Sequence, residues 1–587
     1  MPPVRLLTAG PWSARLTGDE LGHIAYADRP VLRAVKAVVR DQDWRTPQPR
    51  LSNIEVTHND DGLRVRWEVR YAGYGIDYGG FLAASFTPEA LDISFEGTAI
   101  HTFRSNRIGL VVLHPPTDAG REIRVEHPDG TKERAHFPVA ISPHQPFRDI
   151  AALEWVDAGT AFRLSFTGDI FETEDQRNWT DASFKTYSTP LARPFPVVVA
   201  RGDTVRQAVR MAAAPFEPKE TPNSVSVAPL PRNDETIVID ARLGLTAGHV
   251  PALALGAGSP SQTVPPLPGL EAVLVELSEG ADSNSRSGWA NQLTDAAKQA
   301  AIHGAALDIR AVTRDPAGVV ADLEPYLSRT LRLGVFDPVS HVTDHSSWPK
   351  FRSAVRAAGF NGSLLAGARS QFTELNRNSS RLPLDADAVT FSVTPQTHTS
   401  EVAHIIESVP MQELVLENAL RLGGGKTVHV GPVTLLPRFN AVATSGVASD
   451  MEFDELQAEP FAAAWVLASV AALTRKEVGS VTFFETSGPR GIADRTGRLN
   501  PAGEVLKELA ALRSSPTLSV DLSTDLPVTI YPVQSSAGLV VFGANLSQSR
   551  VDLNIHGPDD DVGEGPRRLT LQPWSADILH YCPQPVD

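Results

Sequence analysis

The most constraining feature of this sequence is a rhythm of short apolar segments separated by helical patterns. Strands of a parallel sheet are covered on both faces by crossover helices, so they read as nearly continuous apolar runs. The eight predicted strands are TIVIDAR (from residue 236), AVLVELS (272), ALDIRAV (306), LRLGVFD (331), SLLAGARS (363), AVTFSVT (388), TVHVGPVTL (427) and SVTFFET (480). TIM (β/α)8 barrels typically contain about 250 residues, and these eight strands lie in a segment of similar length. The sequence therefore predicts a TIM barrel.

Helices are predicted between these strands because apolar residues recur there at spacings of three and four. The predicted helices include SGWANQLTDAAKQAAIHG, SSWPKFRSAVRAAGF and AEPFAAAWVLASVAALTRKEVG. The last helix of the barrel is predicted in NPAGEVLKELAALRSS, with Asn500 as its N-cap before Pro501. The run FAAAWVLASVAALT is too short to cross a bilayer and predicts a buried helix.

The regions before and after the barrel show a different pattern, in which apolar and polar residues alternate. LRVRWEVRYAG, EALDISFEG, REIRVEH and AFRLSFTGD are examples from the first two hundred residues, and turn residues separate them. This period of two predicts antiparallel strands with one wet face. We therefore predict an N-terminal β-sandwich domain over residues 1–225, the barrel over 226–513 and a small C-terminal β-domain over 514–587, with a Pro-rich linker near residue 225.

The charge and cysteine content of the chain argue against several classes of partner. A formal net charge of −16 disfavours binding to nucleic acid or to an anionic membrane. The single cysteine, Cys582, has no intramolecular partner, so no disulfide framework is expected. The N-terminus lacks the continuous apolar core of a signal peptide, so we expect a cytoplasmic protein. We expect its partner to be a small molecule, and the sequence does not predict an oligomeric state.

Candidate functional residues follow the predicted barrel strands, because barrel enzymes carry their reacting groups at the C-terminal ends of the strands. Glu485, Glu374 and His398 are the catalytic candidates, since a carboxyl group in a partly apolar pocket can act as a general acid or base. A structural pairing of Glu485 with Arg490 is the alternative interpretation. Candidates for substrate binding after the strands are Asp337, Asn376, Gln396, Arg438 and Asn440.

A polar stretch of the N-terminal region, FETEDQRNWTDASFKTYSTPL (171–191), has no clear periodicity and predicts a loop. We predict that it completes the pocket at the barrel mouth. Its candidate contacts are Arg177, Asn178, Asp181 and Lys185, and a purely structural network is the alternative.

The tract DPVSHVTDH (337–345) contains two Asp and two His residues, but not at the i, i+4 spacing of a helical metal motif. No cofactor is expected, and a divalent metal stays an open alternative. Neither a GxSxG elbow nor a complete phosphate-binding loop is present in the sequence.

Four ordered motifs, EDQRNWTDASFKTY, FTELNR, PVTLLPRFN and SVTFFETSGPRGI, resemble the D-apionate lactonase family. The resemblance spans most of the chain and implies a β-domain, a TIM barrel and a second β-domain. It also implies hydrolysis of D-apionolactone or a related sugar lactone to the open-chain acid. For such a reaction, Glu485 or Glu374 is the predicted base that activates water, His398 the proton donor, and Arg438 or Arg177 the group that holds the oxyanion or the new carboxylate.

Two other functions are compatible with the same residues. A glycoside hydrolase would use two barrel carboxylates. A non-catalytic carbohydrate-binding protein would hold those carboxylates in salt bridges.

Overall fold

The computed structural model describes residues 4–59, 62–215, 236–259, 262, 264–279, 285–443, 453–557 and 566–581. The chain forms two compact units, each continuous in space although not in sequence. One comprises Met1–Arg177, Ala182–Pro229 and Phe439–Asp450, and the other comprises Asn178–Asp181, Leu230–Arg438 and Met451–Asp587. The predicted boundary and linker near residue 225, and Cys582, lie outside the described residues.

The first unit is an antiparallel β-sandwich. Its strands are β1 Val4–Ala9, β2 Trp12–Thr17, β3 Glu20–Tyr26, β4 Arg29–Asp41, β5 Pro49–Asn59, β6 Gly62–Gly73, β7 Ile76–Phe86, β8 Ala90–Ala99, β9 Phe103–His114, β10 Glu122–Glu126, β11 Lys132–His136, β12 Phe147–Ile150, β13 Ala152–Asp157, β14 Thr160–Thr167, β15 Phe171–Asp175, β16 Phe184–Tyr187, β17 Val197–Val199 and β18 Thr204–Pro215. One sheet has the order β1-β2-β3-β4-β9-β16-β15-β12, with β17 also paired to β9, and the other has the order β11-β10-β13-β14-β18-β8-β7-β6-β5. Inward residues of both sheets, such as Leu110 and Trp67, form one core.

The polar stretch at 171–191 is therefore not a loop, which corrects the sequence-based prediction. It contains β15, a 3-10 helix (Gln176–Trp179) and β16. Every residue of both strands is buried, so neither shows the alternation of a strand with one wet face.

The second unit contains a closed barrel of eight parallel strands, as predicted. Its strands are β20 Ala252–Gly256, β21 Ala272–Ser278, β22 Ala306–Val312, β23 Thr330–Phe336, β24 Ser363–Gln371, β25 Ala388–Val393, β26 Thr427–Val433 and β27 Val478–Glu485. Its helices are α1 Trp289–His303, α2 Val320–Leu323, α3 Trp348–Ala357, α4 Phe372–Arg377, α5 Val402–Leu422, α6 Pro460–Ala472 and α7 Pro501–Ala511. The second unit also contains the 3-10 turns Glu324–Arg329, Ser379–Arg381 and Glu455–Ala458, and the first unit contains the 3-10 turn Pro116–Asp118.

One of the eight predicted barrel strands does not belong to the barrel, so that prediction is wrong. The segment from residue 236 forms β19 (Ile237–His249), which pairs with strands near the C-terminus, and the first barrel strand is β20 instead. In β19, Ile239 and Ala241 are buried whereas Asp240 and Arg242 are exposed, which is the pattern of a strand with one wet face. All five residues of β20 are buried, as a barrel strand requires.

The remaining strands form a seven-stranded sheet with β19. They are β28 Pro516–Leu522, β29 Val528–Ser535, β30 Gly538–Asn545, β31 Val551–His556, β32 Arg567–Leu571 and β33 Ser575–Tyr581, in the order β32-β31-β19-β28-β29-β30-β33. Helix α6 packs against this sheet on one side and against α5 and α7 on the other, which explains why it is apolar all round. The predicted boundary at residue 513 falls between α7 and β28.

Helix α7 begins as predicted. Asn500 caps it by accepting a hydrogen bond from the backbone N–H of Gly503 at 2.8 Å, and Pro501 follows at the first helical position.

Candidate active site at the barrel mouth

The interior of the barrel carries charges where most TIM barrels carry aliphatic layers. Asp308 and Arg310 lie on β22 and Arg332 lies on β23, and all three are fully buried. Arg332 Nε donates to Asp308 Oδ2 at 2.9 Å, and Arg310 Nη1 crosses to the carbonyl of Gly431 at 2.6 Å. Arg332 also pairs with Glu271, which directly precedes β21, so the ionic interior reaches the N-terminal end of the barrel.

Gly367 of β24 and Gly431 of β26 allow neighbouring barrel strands to approach closely. Gly367 has a φ of 144°, and a Cβ atom there would lie 2.1 Å from the carbonyl oxygen of Thr390. Only glycine fits this backbone, two residues before Arg369 on β24.

Glu276 is the centre of the charge cluster at the mouth. It lies on β21 beside Arg310 of β22 in the parallel register. Arg369 Nη2 donates to its Oε1 at 2.5 Å, and Arg438 Nη2 approaches its Oε2 at 3.3 Å. Burial alone would raise the pKa of Glu276, but the two guanidinium groups lower it to about 2, so this carboxylate is ionised at neutral pH.

Glu485 ends β27 and is linked to the same cluster through Arg438. Burial raises the pKa of Glu485, while the charges of Arg490 and Arg438 act against this rise. Arg490 Nε lies 3.0 Å from Glu485 Oε1, so the predicted pairing with Arg490 is present.

Glu374 lies in the first turn of α4, which directly follows β24. Its side chain is buried and accepts a hydrogen bond from Ser370 Oγ at 2.7 Å. Burial raises its pKa to about 7, against the opposing effects of this hydrogen bond and of Arg377. A carboxyl group with such a pKa can give or accept a proton at neutral pH.

The partly buried His398 pairs with the buried Asp181. His398 Nδ1 lies 2.7 Å from Asp181 Oδ2, and because a carboxylate only accepts, Nδ1 carries the proton. Trp179 packs edge-on against the imidazole with ring centroids 5.5 Å apart. The carboxylate of Asp181 and the indole of Trp179 thus fix the orientation of the imidazole.

The segment Asn178–Asp181 belongs to the compact unit of the barrel. Besides the contacts of Trp179 and Asp181 with His398, it binds α4, since Asn376 Nδ2 donates to Asn178 Oδ1 at 2.8 Å. This segment therefore connects the residues that follow β24 with those that follow β25.

Other predicted site residues have local partners. Gln396 donates to the carboxylate of Asp454, which itself caps the 3-10 helix Glu455–Ala458. Asp337 Oδ1 accepts the backbone N–H of Ser340 at 2.7 Å and so closes its own turn.

Three of the predicted site residues belong to the first unit and are engaged there. Arg177 pairs with Asp175 at 2.8 Å, and Lys185 pairs with Glu174 at 2.6 Å. Asn440 donates to the backbone carbonyl of Asp43 at 2.7 Å. A role for these three residues in substrate binding stays a prediction.

The tract at 337–345 does not gather its four polar residues around one point. Asp344 forms a salt bridge with Arg381, and His345 Nδ1 lies 3.2 Å from the carbonyl of Arg381. Within the described ranges, no group of three or more His, Cys, Asp or Glu side chains is arranged to hold a metal ion. In the same part of the chain, no helix is both long and apolar enough to span a membrane.

Sequence reasoning missed Glu276 and Arg369. Both lie inside apolar strand segments, AVLVELS and SLLAGARS, whereas the search for site residues began after each strand. A single charge within an otherwise apolar barrel strand is the signal that identifies them, because burying a charge is costly unless it is paired.

An eight-stranded parallel barrel with charged and titratable side chains at the C-terminal ends of its strands is the arrangement typical of TIM-barrel enzymes. Two family models match the chain: D-apionate lactonase, N-terminal domain, over residues 1–215, and D-apionate lactonase, TIM barrel domain, over residues 281–514. The chain belongs to the D-apionate lactonase family.

The chain is similar to one curated member of this family and, more distantly, to solved structures of other proteins. The D-apionate lactonase of Brucella anthropi is 27% identical over 532 residues, which cover 85% of each chain. Among solved structures, a GH30 endoxylanase from Clostridium papyrosolvens is 12% identical with a TM-score of 0.39, over 58% of this chain and 98% of that one. A putative aldose 1-epimerase from Escherichia coli is 12% identical with a TM-score of 0.25, over 36% of this chain and 99% of that one. With TM-scores below 0.5, neither likeness to a solved structure bears on function.

Proposed function

We propose that this protein hydrolyses a sugar-acid lactone, D-apionolactone or a related aldonolactone, to the open-chain acid. The family supports the reaction class, and the B. anthropi relative is named for D-apionate. The observation that carries the proposal is the His398–Asp181 pair at the C-terminal end of the barrel, with Nδ1 and Oδ2 2.7 Å apart.

Lactone hydrolysis requires an activated water, stabilisation of a tetrahedral oxyanion and a proton for the ring oxygen that leaves. His398 takes a proton from water, and Asp181 stabilises the imidazolium that forms. Water adds to the carbonyl carbon, the bond from that carbon to the ring oxygen breaks, and the imidazolium returns the proton to this oxygen. The pair is thus base in the first step and acid in the second, so the proton balance closes without a cofactor.

A second acid-base group is one of the two glutamates that follow barrel strands. Glu374 is favoured because burial holds its pKa at about 7, whereas Glu485 is paired with Arg490. Arg438 supplies a guanidinium for the oxyanion, where a charged donor is worth more than a neutral one.

The test is proton release from a panel of five- and six-membered sugar lactones, D-apionolactone included, measured against spontaneous hydrolysis with and without chelator. We expect one five-membered lactone to be turned over fast and the chelator to have no effect. No turnover of any lactone would refute the proposal and direct attention to glycosidic substrates.

His398→Asn is the decisive variant, with kcat expected to fall by about 10²- to 10⁴-fold. The chain offers a matched control in His556, whose Nε2 lies 3.4 Å from Asp240 Oδ1 in the seven-stranded sheet. His556→Asn should leave kcat unchanged. Equal kcat values for the two variants would remove His398 from the reaction.

A further inference from the structure

The turn that follows β23 (residues 337–343) is held against the neighbouring strand β24. The backbone N–H of Asp337 donates to the carbonyl of Val342 at 3.0 Å and closes the turn. The backbone N–H of Arg369 on β24 donates to the carbonyl of His341 at 2.9 Å, and Val342 pairs with β24 through an antiparallel bridge. Backbone bonds to a barrel strand therefore fix where His341 lies at the C-terminal end of the barrel.

His341 has a left-handed backbone conformation, with a φ of 59°. Few residues other than glycine adopt this conformation, although histidine is among those that do so more often. Its backbone N–H donates to the carbonyl of Asp337 at 3.0 Å and its carbonyl accepts from β24, so both of its backbone polar groups are bonded. The turn thus presents the side chain of His341 in a fixed direction, as is common for residues of functional sites.

The imidazole of His341 lies beside the charge cluster at the barrel mouth. Burial and the charge of Arg369 lower the pKa of His341 to about 4, and the charges of Glu276 and Asp337 oppose this change. Arg369 and Glu276 lie on β24 and β21 and pair with each other, so an imidazole that is close to both lies in the same part of the barrel. With this pKa, the imidazole is neutral at pH 7.

We infer that His341 contacts the substrate and that its imidazole hydrogen-bonds a hydroxyl group on the lactone ring. That the ligand is a lactone rests on the proposed function. A neutral imidazole has one N–H donor and one acceptor nitrogen, and a hydroxyl group likewise donates and accepts. The guanidinium groups of Arg369 and Arg438 suit the oxyanion. The imidazole suits the uncharged part of the same molecule, so His341 is a specificity-determining residue.

The experiment measures kcat and KM on four lactones that share one five-membered ring. D-Erythronolactone carries hydroxyl groups at C2 and C3, and γ-butyrolactone carries none. The other two, 2-hydroxy- and 3-hydroxy-γ-butyrolactone, carry one hydroxyl group each in the configuration of D-erythronolactone. We expect kcat/KM of wild type to be about tenfold higher for D-erythronolactone than for the lactone that lacks the contacted hydroxyl group.

Two variants and one control assign this preference to His341. His341→Gly removes the imidazole, and glycine adopts a φ of 59° without strain. Its kcat/KM should fall by about tenfold on D-erythronolactone, mainly through KM, and stay unchanged on γ-butyrolactone. His341→Asn keeps a donor and an acceptor in a residue that tolerates the same backbone, so it should retain part of the preference. The control is His345→Ala, because His345 belongs to the same tract but is exposed, with Nδ1 3.2 Å from the carbonyl of Arg381, and this variant should behave as wild type on all four lactones.

Two results would overturn the inference while leaving the proposed function intact. An equal loss of kcat/KM on all four lactones in His341→Gly would make the role of His341 structural, and no loss on any of them would place it away from the substrate. If wild type hydrolyses no lactone, the proposed function fails, and calorimetric binding of D-erythronolactone and γ-butyrolactone to wild type and His341→Gly tests the contact by itself. Weaker binding of D-erythronolactone alone in the variant would retain the hydroxyl contact, and equal binding to both proteins would reject it.

Discussion

Replacement of Glu374 by glutamine tests whether a buried carboxyl group sets the pH dependence of this protein. Burial raises the pKa of Glu374 from 4.5 to about 7. A shift of this size corresponds to about 3 kcal/mol between the two protonation states. Glutamine has nearly the same shape as glutamate and can still accept the hydrogen bond from Ser370. The variant therefore removes the ionisable group but preserves the packing of the side chain.

The sign of the effect on stability follows from the order in which the two states lose the proton. Well below pH 4.5 the carboxyl group is protonated in the folded and the unfolded chain alike. As the pH rises, the unfolded chain releases its proton first, and the folded chain holds it until about pH 7. The free energy of unfolding therefore falls by up to about 3 kcal/mol between pH 4.5 and pH 8 through this one group.

The assay is urea unfolding of wild type and Glu374→Gln at pH 5 and at pH 8.5. We expect the variant to gain stability over wild type at the higher pH, and kcat/KM to lose an inflection near pH 7. Glu504→Gln is the matched control, because Glu504 also lies in the first turn of a helix but is exposed. If Glu374→Gln and wild type differed in free energy of unfolding by the same amount at both pH values, the reasoning would be refuted.

Three further changes have defined outcomes. Lys185→Ala removes the 2.6 Å ion pair with the buried Glu174 and should lower the free energy of unfolding by about 3–5 kcal/mol. Lowered stability with unchanged kinetics would show that Lys185 is not part of the substrate site. Gly367→Ala places a Cβ atom 2.1 Å from a backbone oxygen, so thermal unfolding should occur at a markedly lower temperature; an unchanged midpoint would contradict the tight fit. Asp181→Asn should lower kcat by about 10²-fold or more because the carboxylate no longer stabilises the imidazolium, and a kcat equal to wild type would exclude the pair from proton transfer.

The barrel was predictable from the sequence because its strands are covered on both faces, which leaves an apolar run that few other structures produce. The same rule explains the one wrong strand. Asp240 and Arg242 alternate with apolar residues in TIVIDAR, and this alternation indicates a strand with one wet face. Weighting this alternation more heavily would have predicted a strand in a sheet with one wet face and assigned the first barrel strand to Ala252–Gly256.

The candidate site was only partly predictable. Glu374 and His398 follow barrel strands and Glu485 is the last residue of one, so the rule for barrel enzymes finds all three. The partner of His398, in contrast, is Asp181, which is 217 positions away in sequence, and no local pattern connects the two. The raised pKa of Glu374 also depends on tertiary burial, which the motif FTELNR does not encode.

The ionic interior of the barrel bears on the choice between a lactonase and a glycosidase. Asp308 contacts Arg310 and Arg332, Arg332 also pairs with Glu271, and Glu276 contacts Arg369 and Arg438. Arg369 and Arg438 therefore place positive charge at the mouth, where it can stabilise negative charge on a bound group. Hydrolysis of a glycoside gives neutral sugars, which gain little from that charge. Opening a lactone generates an oxyanion and then a carboxylate, so the same charge stabilises the transition state and the product, and this difference favours the lactonase reaction.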